Sequence, residues 1–253
     1  MILGILQARV SSKRLPGKVL KPVLGIPMIF LEIERIRRAK KIDKLIIATS
    51  TDSTDELLEK LCRERDVQCF RGDLNDVLNR FYEVAKNETA KHIVRITGDC
   101  PLIDPSVIDR VIDFYLQGDF DYVSNAIEPT FPDGLDTEVF RYTCLKQAWQ
   151  EATLPSEREH VTPFIYSNPT RFKIGHYKNA RDLSHLRWTV DEELDFQLVE
   201  IIYNSLYQKN PEFSTQDILD LLKTHPELMY YNTDIKRNEG YKKSLEDNIE
   251  LTK

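Results

Sequence analysis

The chain has 253 residues, 41% of them apolar, and a formal net charge of −6 at pH 7. This length and composition allow a large buried core and exclude a predominantly disordered chain. A net acidic protein lacks the overall basic surface that sequence-independent binding of nucleic acid requires, so we expect no nucleic acid partner. No run approaches the roughly 18 to 20 apolar residues of a membrane helix, and no leader peptide precedes the first strand-like run, which predicts a cytoplasmic protein with no membrane partner.

The cysteines and histidines argue against two further classes of protein. Cys62, Cys69, Cys100 and Cys144 are widely spaced and form no CxxC pair, so we expect reduced thiols rather than disulfides or a structural zinc site. The five histidines include no HExxH motif, which excludes a zinc hydrolase of that type.

The first half of the chain alternates strand-like runs with amphipathic helical stretches. The predicted strands are Ile2–Ala8, Lys44–Ser50, Val67–Phe70 and His92–Ile96, and the helical stretches are 28–40, 54–65, 76–87 and 106–117. This alternation predicts an α/β fold of three layers, a mostly parallel sheet with helices on both faces.

The second half is predicted to extend the sheet and to end in helices. Strand-like runs occur at Tyr122–Ala126, Thr137–Phe140, Arg171–His176 and Leu186–Val190, with helices at 142–152, 156–167, from Asp191 to about Tyr207, and from Thr215 to Lys223. No repeat or long linker divides the chain, so we expect a single domain over 1–235. Residues 236–253 form a polar tail, either a loosely held helix or disordered.

The loop after the first predicted strand concentrates positive charge. Residues 7–18 contain four cations, two serines and Gly17. Arginine offers a planar fork to phosphate oxygens, lysine offers a point charge, and hydroxyl and backbone N–H groups add donors. Ligands of open parallel sheets bind at the carboxyl ends of strands, so position favours a triphosphate site over a solvated basic loop. Neither GxxxxGK[ST] nor GxGxxG is present, which excludes a P-loop and a dinucleotide fingerprint.

Two aspartates are candidates for a metal site. Asp99 follows the His92–Ile96 strand and Asp191 follows the Leu186–Val190 run. Magnesium binds nucleotide phosphates through one or two carboxylates and keeps several waters, so this pair would suffice. Each also has a structural explanation, Asp99 as a turn residue before Pro101 and Asp191 as a helix N-cap. Spacing alone does not bring them together.

Six motifs in order resemble the spore coat polysaccharide biosynthesis cytidylyltransferases, which are related to the CMP-3-deoxy-manno-octulosonate and CMP-sialic acid synthetases. The match extends from residue 1 to about 205. The motifs are Gln7-Ala8-Arg9 through Lys18, Arg71-Gly72-Asp73 with Asp76–Phe81, Thr97-Gly98-Asp99-Cys100-Pro101, Gly134–Phe140, Arg158-Glu159-His160-Val161-Thr162 and Arg187-Trp188-Thr189-Val190-Asp191. Where the octulosonate enzymes carry Gly-Asp-Glu-Pro, this chain has Gly98-Asp99-Cys100-Pro101, so their acceptor does not transfer directly.

The resemblance implies a nucleotide-diphospho-sugar transferase fold, a homodimer and a set of site residues. Asp99 and Asp191 would meet at Mg²⁺, and Lys18 would join them in the catalytic set. The nucleotide would be bound by Ala8, Arg9, Ser11, Ser12, Arg14, Lys18, Asp76, Arg80, Thr97 and Gly98. The acceptor side would comprise Asp136, Glu138, Arg158 and His160, although Glu138 is equally consistent with a strand surface residue.

These residues predict a Mg²⁺-dependent nucleotidyltransferase that moves CMP from CTP to a sugar-acid or sugar-phosphate acceptor and releases pyrophosphate, for surface polysaccharide or glycoconjugate synthesis. Catalysis would rest on positioning and electrostatics, without a protein nucleophile. A sugar-acid hydroxyl would have to lose a proton, whereas a sugar phosphate would need no base. The alternatives are guanylyl or other nucleotidyl transfer to a sugar phosphate on the same fold, and a nucleotide-binding regulatory protein without turnover.

Overall fold

Residues 1–235, 237 and 239–251 are described by the computed structural model of the chain. Lys236, Asn238, Thr252 and Lys253, all from the predicted tail, lie outside the described residues. The strands are β1 (Ile2–Gln7), β2 (Pro22–Val23), β3 (Ile26–Pro27), β4 (Lys44–Ser50), β5 (Cys69–Gly72), β6 (His92–Thr97), β7 (Tyr122–Ser124), β8 (Glu138–Arg141) and β9 (Ile174–His176).

The helices alternate with these strands and then form the C-terminal part. They are α1 (Met28–Ile36), α2 (Glu56–Glu64), α3 (Val77–Asn87), α4 (Pro105–Gln117), α5 (Tyr142–Glu151), α6 (Pro155–His160), α7 (Pro163–Tyr166), α8 (Glu193–Leu206), α9 (Thr215–Thr224) and α10 (Glu239–Leu251). None of the helices in the described part of the chain combines the length and apolar composition needed to cross a membrane.

The central sheet has seven strands in the order β5-β4-β1-β6-β8-β7-β9. Its members run parallel except β8, which is antiparallel to both β6 and β7. The short β2–β3 hairpin stands apart from it. The predicted mostly parallel sheet is therefore confirmed, and the carboxyl ends of β1 and β6 lie side by side because these strands pair directly.

Apolar side chains of alternate residues pack on opposite faces of the sheet, as the period of two in a strand requires. On β1, Leu6 belongs to the core shared with α1, α2, α4, α8 and α9, whereas Leu3 and Ile5 belong to the core shared with α3, α5 and α7. Helices thus cover both faces, which is the predicted three-layer architecture.

The predicted strand Leu186–Val190 is wrong. The segment is extended and buried, but its backbone bonds to loops: Asp133 N–H donates to Leu186 O at 2.9 Å, and Val190 N–H donates to Asp99 O at 2.8 Å. Its only ladder contact within the described chain is an isolated bridge between Asp133 and Arg187. A run of apolar residues indicates that a segment is buried. Residues 186–190 are buried without pairing with a neighbouring strand.

The predicted helix 156–167 is two helices, because the backbone turns between them. Val161 has φ 72° and ψ −55°, the geometry of a tight γ-turn closed by Thr162 N–H donating to the His160 carbonyl at 2.8 Å, and Pro163 begins the second helix, where its missing N–H costs nothing. The thiols behave as expected: all four cysteines are free, and Cys62, Cys100 and Cys144 are buried.

Gly134 gives a test of how the 186–190 segment is held. Its φ is +107°, and a Cβ there would lie 2.5 Å from the backbone N of Thr189 and 2.6 Å from the carbonyl carbon of Trp188. We expect Gly134→Ala to lower the free energy of unfolding by more than about 3 kcal/mol, since backbone strain and steric overlap add. Urea denaturation of the variant measures this.

Gly25→Ala is the matched control. Gly25 also has a positive φ, +76°, but nothing lies within 4 Å of its added Cβ. It should cost only about 1 kcal/mol, the strain of a left-handed alanine alone. Equal losses in the two variants would mean that close packing at Gly134 contributes nothing.

Candidate active site

Three separate segments meet at the carboxyl ends of β1 and β6. The first is the basic loop after β1, which ends in Gly17 (φ 71°) and the short 3-10 helix Lys18–Leu20. The second carries Asp99, directly after β6. The third, residues 186–191, is tied to the second because Thr189 Oγ1 and Val190 N–H both donate to the carbonyl of Asp99, at 3.1 and 2.8 Å.

Lys18 joins the three segments. Its Nζ donates to Asp99 Oδ2 at 3.0 Å, to Asp191 Oδ1 at 3.0 Å and to the Val190 carbonyl at 2.8 Å. The structure thus brings the two candidate metal ligands to opposite sides of one cation. Sequence spacing could not establish this convergence, and the family resemblance implied it.

The electrostatics favour the charged forms of Lys18 and Asp99. Burial alone would lower the pKa of Lys18, but the carboxylates of Asp99 and Asp191 raise it above the ordinary lysine value. Burial likewise would raise the pKa of Asp99, but the Lys18 ammonium and a hydrogen bond from Thr97 lower it below the ordinary aspartate value. Asp99 therefore stays an anionic oxygen donor at neutral pH.

A buried arginine orients the second aspartate. Arg187 Nη2 lies 2.9 Å from Asp191 Oδ2, while its other nitrogens lie 2.9 Å from Asp133 Oδ2 and from Asp195 Oδ1. Asp195 is completely buried and also accepts the backbone N–H of Asp191 at 2.9 Å. On the outer side, Arg14 Nη2 lies 2.7 Å from Asp191 Oδ1.

Arg187 and Asp195 were not predicted as site residues. Each lies four positions from Asp191. The sequence signal for them was this series of three charged residues, spaced by four, beside the apolar Trp188 and Val190. Their role is indirect, since they fix the position of a carboxylate rather than face the cavities.

A cavity of about 560 Å³ opens on the side of the basic loop. Eight of the ten residues predicted to bind the nucleotide line it: Ala8, Arg9, Ser12, Arg14, Lys18, Arg80, Thr97 and Gly98. We call it the nucleotide cavity. The other two, Ser11 and Asp76, lie in an adjoining cavity of about 760 Å³ that shares Arg9 and Lys13 with it.

Arg80 is a buried cation of the nucleotide cavity with few hydrogen bonds. The residue is 1% exposed, its Nη1 donates to the Ala48 carbonyl at 3.4 Å, and its Nε is buried without a hydrogen-bond partner among the described residues. Burial and the neighbouring Arg9 lower the pKa of Arg80 to about 10, so the side chain is still cationic at neutral pH. A buried, under-satisfied guanidinium suits an anionic ligand.

A second cavity, of about 440 Å³, lies on the other side of the Lys18 junction. Asp136, Glu138 and His160, predicted on the acceptor side, line it. We call it the acceptor cavity. Arg14, Asp99 and Asp191 belong to the walls of both cavities, so the junction is the boundary between them.

Arg158 lies elsewhere than predicted. Its Nε and Nη2 lie 3.1 and 2.5 Å from the Asp76 carboxylate, which caps α3, and it lines the adjoining cavity on the nucleotide side. Two positions along a helix correspond to a rotation of about 200°, so Arg158 and His160 face opposite sides of α6. Asp76 thus has the structural role of a cap as well as its place beside the nucleotide cavity.

Arg95, from the middle of β6, was missed by the sequence analysis. It lines both cavities, donates to Glu138, and its Nη2 donates to Gln7 Oε1 at 3.2 Å. Glu138 also accepts from Tyr122 Oη at 2.5 Å and from Thr162 Oγ1 at 2.8 Å. A charged residue inside an otherwise apolar strand was the signal for Arg95.

His160 is neutral at physiological pH. Burial and the positive charge of Arg95 lower its pKa to about 4. Its Nε2 lies 3.1 Å from Ser244 Oγ, and its ring packs edge-on against Tyr241 with the centroids 5.0 Å apart. His160 is therefore a hydrogen-bonding group and not an additional cation of the acceptor cavity.

The chain matches known proteins along most of its length. The family model described as Cytidylyltransferase matches residues 3–238. The chain is 36% identical over 238 residues to the uncharacterized protein MJ1063 of Methanocaldococcus jannaschii, covering 93% of this chain and 96% of that protein. It is 32% identical over 235 residues to the spore coat polysaccharide biosynthesis protein SpsF of Bacillus subtilis, covering 89% and 95%.

Solved structures show the same architecture. A cytidylyltransferase from Leptospira borgpetersenii superposes with a TM-score of 0.85 at 32% identity, over 90% of this chain and 96% of that one. A CMP:2-keto-3-deoxy-manno-octonic acid synthetase complexed with CTP shares the fold, with a TM-score of 0.64 at 17% identity, over 81% of this chain and 98% of that one. These matches confirm the resemblance and the fold type predicted from the motifs.

Removing the buried arginine should destabilise the fold strongly. Arg187→Met leaves the buried Asp195 without its cation and Asp133 with only the longer pair to Arg237, at 3.5 Å, and breaking a buried pair from one side costs about 3–5 kcal/mol. We expect a clear drop in the urea midpoint at pH 7.

Arg171→Met is the matched control, since Arg171 also makes a two-bond contact, to Glu151 at 2.8 Å, but on the surface. Its midpoint should stay close to that of the wild type. If Arg187→Met unfolds at the same urea concentration as this control, the buried network does not stabilise the site.

Proposed function

The chain belongs to the cytidylyltransferase family, and on that premise we propose that it transfers CMP from CTP to a sugar-acid or sugar-phosphate acceptor and releases pyrophosphate. The single observation that supports this most is the meeting of two cavities at Lys18, Asp99 and Asp191. A transfer reaction needs donor and acceptor on either side of one reacting centre, and this arrangement provides both places.

The nucleotide cavity suits a triphosphate because of its charge. Arg9, Arg14, Lys18 and Arg80 all line it. Arg9 has only a long ion pair, 3.9 Å from Glu159, and Arg80 has no carboxylate partner among the described residues. These cations would bind the phosphates and stabilise the charge that develops on departing pyrophosphate.

We propose Asp99 and Asp191 as the ligands of a divalent cation, Mg²⁺ in the first instance. Oxygen donors suit this ion, and no described group of three or more acidic, histidine or cysteine side chains could hold a metal by itself. The two carboxylates fit an ion that completes its coordination with phosphate oxygens and water. When bound, it would neutralise charge on the phosphates. Lys18 would keep the two carboxylates close together as the nucleotide arrives.

The acceptor cavity favours a sugar acid over a sugar phosphate. Its arginines already have partners, Arg95 with Glu138 and Arg14 with Asp191, and His160 is neutral. A phosphate dianion would need more positive charge than these paired arginines leave, whereas a sugar acid carries a single negative charge and its hydroxyl groups can donate to the carboxylates that line the cavity. The acceptor hydroxyl oxygen would attack the α-phosphorus, and the bond from that phosphorus to pyrophosphate would break.

Asp136 is the carboxylate we propose for the hydroxyl proton. Burial raises its pKa above the ordinary aspartate value even though Arg237 lies 2.6 Å away, and a raised pKa improves a carboxylate as a base. Glu138 is less suitable because Arg95, Tyr122 and Thr162 already occupy it.

The decisive assay is pyrophosphate release from each of CTP, GTP, UTP and ATP with Mg²⁺ and a panel of sugar acids and sugar phosphates. We expect turnover with CTP and a sugar acid, and a loss of at least about 100-fold in kcat for Asp99→Asn because a charged ligand at the reacting centre is removed. Asp220→Asn, an exposed change on α9, is the control and should retain full activity.

The outcomes of this assay separate the candidate functions. Turnover with GTP and a sugar phosphate would replace the proposal with guanylyl transfer on the same fold. Binding of Mg²⁺–nucleotide without turnover on any acceptor would support a regulatory protein. Full activity of Asp99→Asn would remove Asp99 from the catalytic centre.

Asp136→Asn tests the acceptor side separately. We expect kcat to fall by about 100-fold or more, the usual contribution of a general base, while the dissociation constant for CTP changes less than about twofold. Isothermal titration gives the latter. A variant that loses CTP affinity but keeps kcat would place Asp136 on the nucleotide side instead.

A further inference from the structure

Helix α10 lies over the boundary between the two cavities. Glu239 and Gly240 line both of them, Tyr241 lines the acceptor cavity, and Lys243 and Ser244 line the nucleotide cavity. Gly240, Lys243 and Ser244 are spaced by three and four residues, so they share one face of the helix. That face covers the place where donor and acceptor would meet.

The helix is attached by polar and aromatic contacts at the cavity walls. Ser244 Oγ lies 3.1 Å from His160 Nε2 and donates to Glu159 Oε2 at 3.0 Å, and Tyr241 packs against the His160 ring. The described side chains of α10, those of residues 239–246, belong to neither apolar core. A segment attached in this way can open at a small cost in free energy compared with the elements of the sheet.

Just before the helix, Arg237 extends this attachment into the acceptor side. Its Nη2 lies 2.6 Å from Asp136 Oδ1, and its Nε lies 3.5 Å from Asp133 Oδ1. The segment is therefore tied to residues that the proposed reaction uses. A ligand that enters either cavity would therefore come close to groups that hold this segment in place.

Lys243 is placed to contact a nucleotide. It lines the nucleotide cavity, is exposed, and has no ion pair with any carboxylate of the described chain. The same cavity contains Lys13, also without an ion pair in the described part, and Arg9 with its long one. Glu239, 3.9 Å from Arg14, is a carboxylate of the helix that lines both cavities, and an arriving triphosphate would compete with it for Arg14.

We propose that α10 is a cover that closes on the bound nucleotide, and that Lys243 donates from it to the phosphates. This inference rests on the proposed function, because it needs a nucleoside triphosphate in the nucleotide cavity. The phosphates would supply the anion that Lys243 lacks, and the closed helix would keep water from the boundary of the cavities.

The experiment compares Lys243→Ala with Lys242→Ala. Lys242 is the next residue on the same helix, equally exposed, and lines neither cavity. Titration calorimetry is first run on the wild type with Mg²⁺ and each of the four nucleotides, and the one that binds is used. We expect Lys243→Ala to raise the dissociation constant of this nucleotide by about 5- to 20-fold, the effect of one partly exposed charge-assisted contact. Lys242→Ala should keep the dissociation constant within about twofold of the wild type.

Hydrogen exchange on residues 239–246 provides a readout of closure that does not depend on activity. Exchange should slow when nucleotide is added to the wild type and to Lys242→Ala, and slow less in Lys243→Ala at equal occupancy. Equal affinities of the two variants, or unchanged exchange on binding, would overturn the cover while leaving the proposed function intact. Failure of the wild type to bind any of the four nucleotides would overturn both.

Discussion

The Lys18 ammonium between Asp99 and Asp191 is the interaction on which the site depends. Its three short contacts join the loop after β1, the loop after β6 and the 186–191 segment, which are far apart in sequence. Two carboxylates placed this close would repel each other without a cation between them. The site is therefore assembled around a positive charge, and on the proposed function the Lys18 ammonium would keep the two carboxylates in place for a metal ion that arrives with the nucleotide.

This arrangement needs rigid support, because Asp191 lies on no regular element. Arg187 and the fully buried Asp195 provide it through ion pairs and through the backbone N–H of Asp191. Buried charges are costly, so such a network is stable only when every member has a partner. Close packing at Gly134 then fixes the backbone of the same segment. This support is buried, whereas the described side chains of α10 hold it at the cavity walls through polar and aromatic contacts.

The sequence predicted the sheet well because β1, β4 and β6 are apolar runs bounded by clear helix signals, such as Asp104-Pro105 at the start of α4. The prediction of a strand at residues 186–190 failed because this segment is buried against loops. The prediction of one helix over 156–167 failed because the turn at Val161 comes from a backbone conformation that the pattern of side chains does not show. Most of the residues predicted to bind the nucleotide belong to one continuous loop after β1, so their proximity could be predicted from the sequence. The acceptor cavity combines residues from β6, β8, α6 and α10, so the sequence pattern did not single out Arg95, and Arg158 lies on the side of α6 away from this cavity. The roles of the site residues and the homodimer stay predictions.

The charges of the two cavities differ in sign, and this would give the proposed reaction a direction. Of the charged residues that line one of these two cavities and not the other, the nucleotide cavity has the cations Arg9, Lys13, Lys18, Arg80 and Lys243 against one carboxylate, Glu159, whereas the acceptor cavity has the carboxylates Asp133, Asp136 and Glu138. A triphosphate is attracted to the first and repelled by the second, so its transferable phosphorus would stop at the boundary, beside Asp99 and Asp191. A hydroxyl-rich acceptor can enter the second cavity because its hydroxyl groups donate to carboxylates. Electrostatics would thus orient the two proposed substrates towards each other before any covalent step, and a metal at the boundary would be shared by both sides.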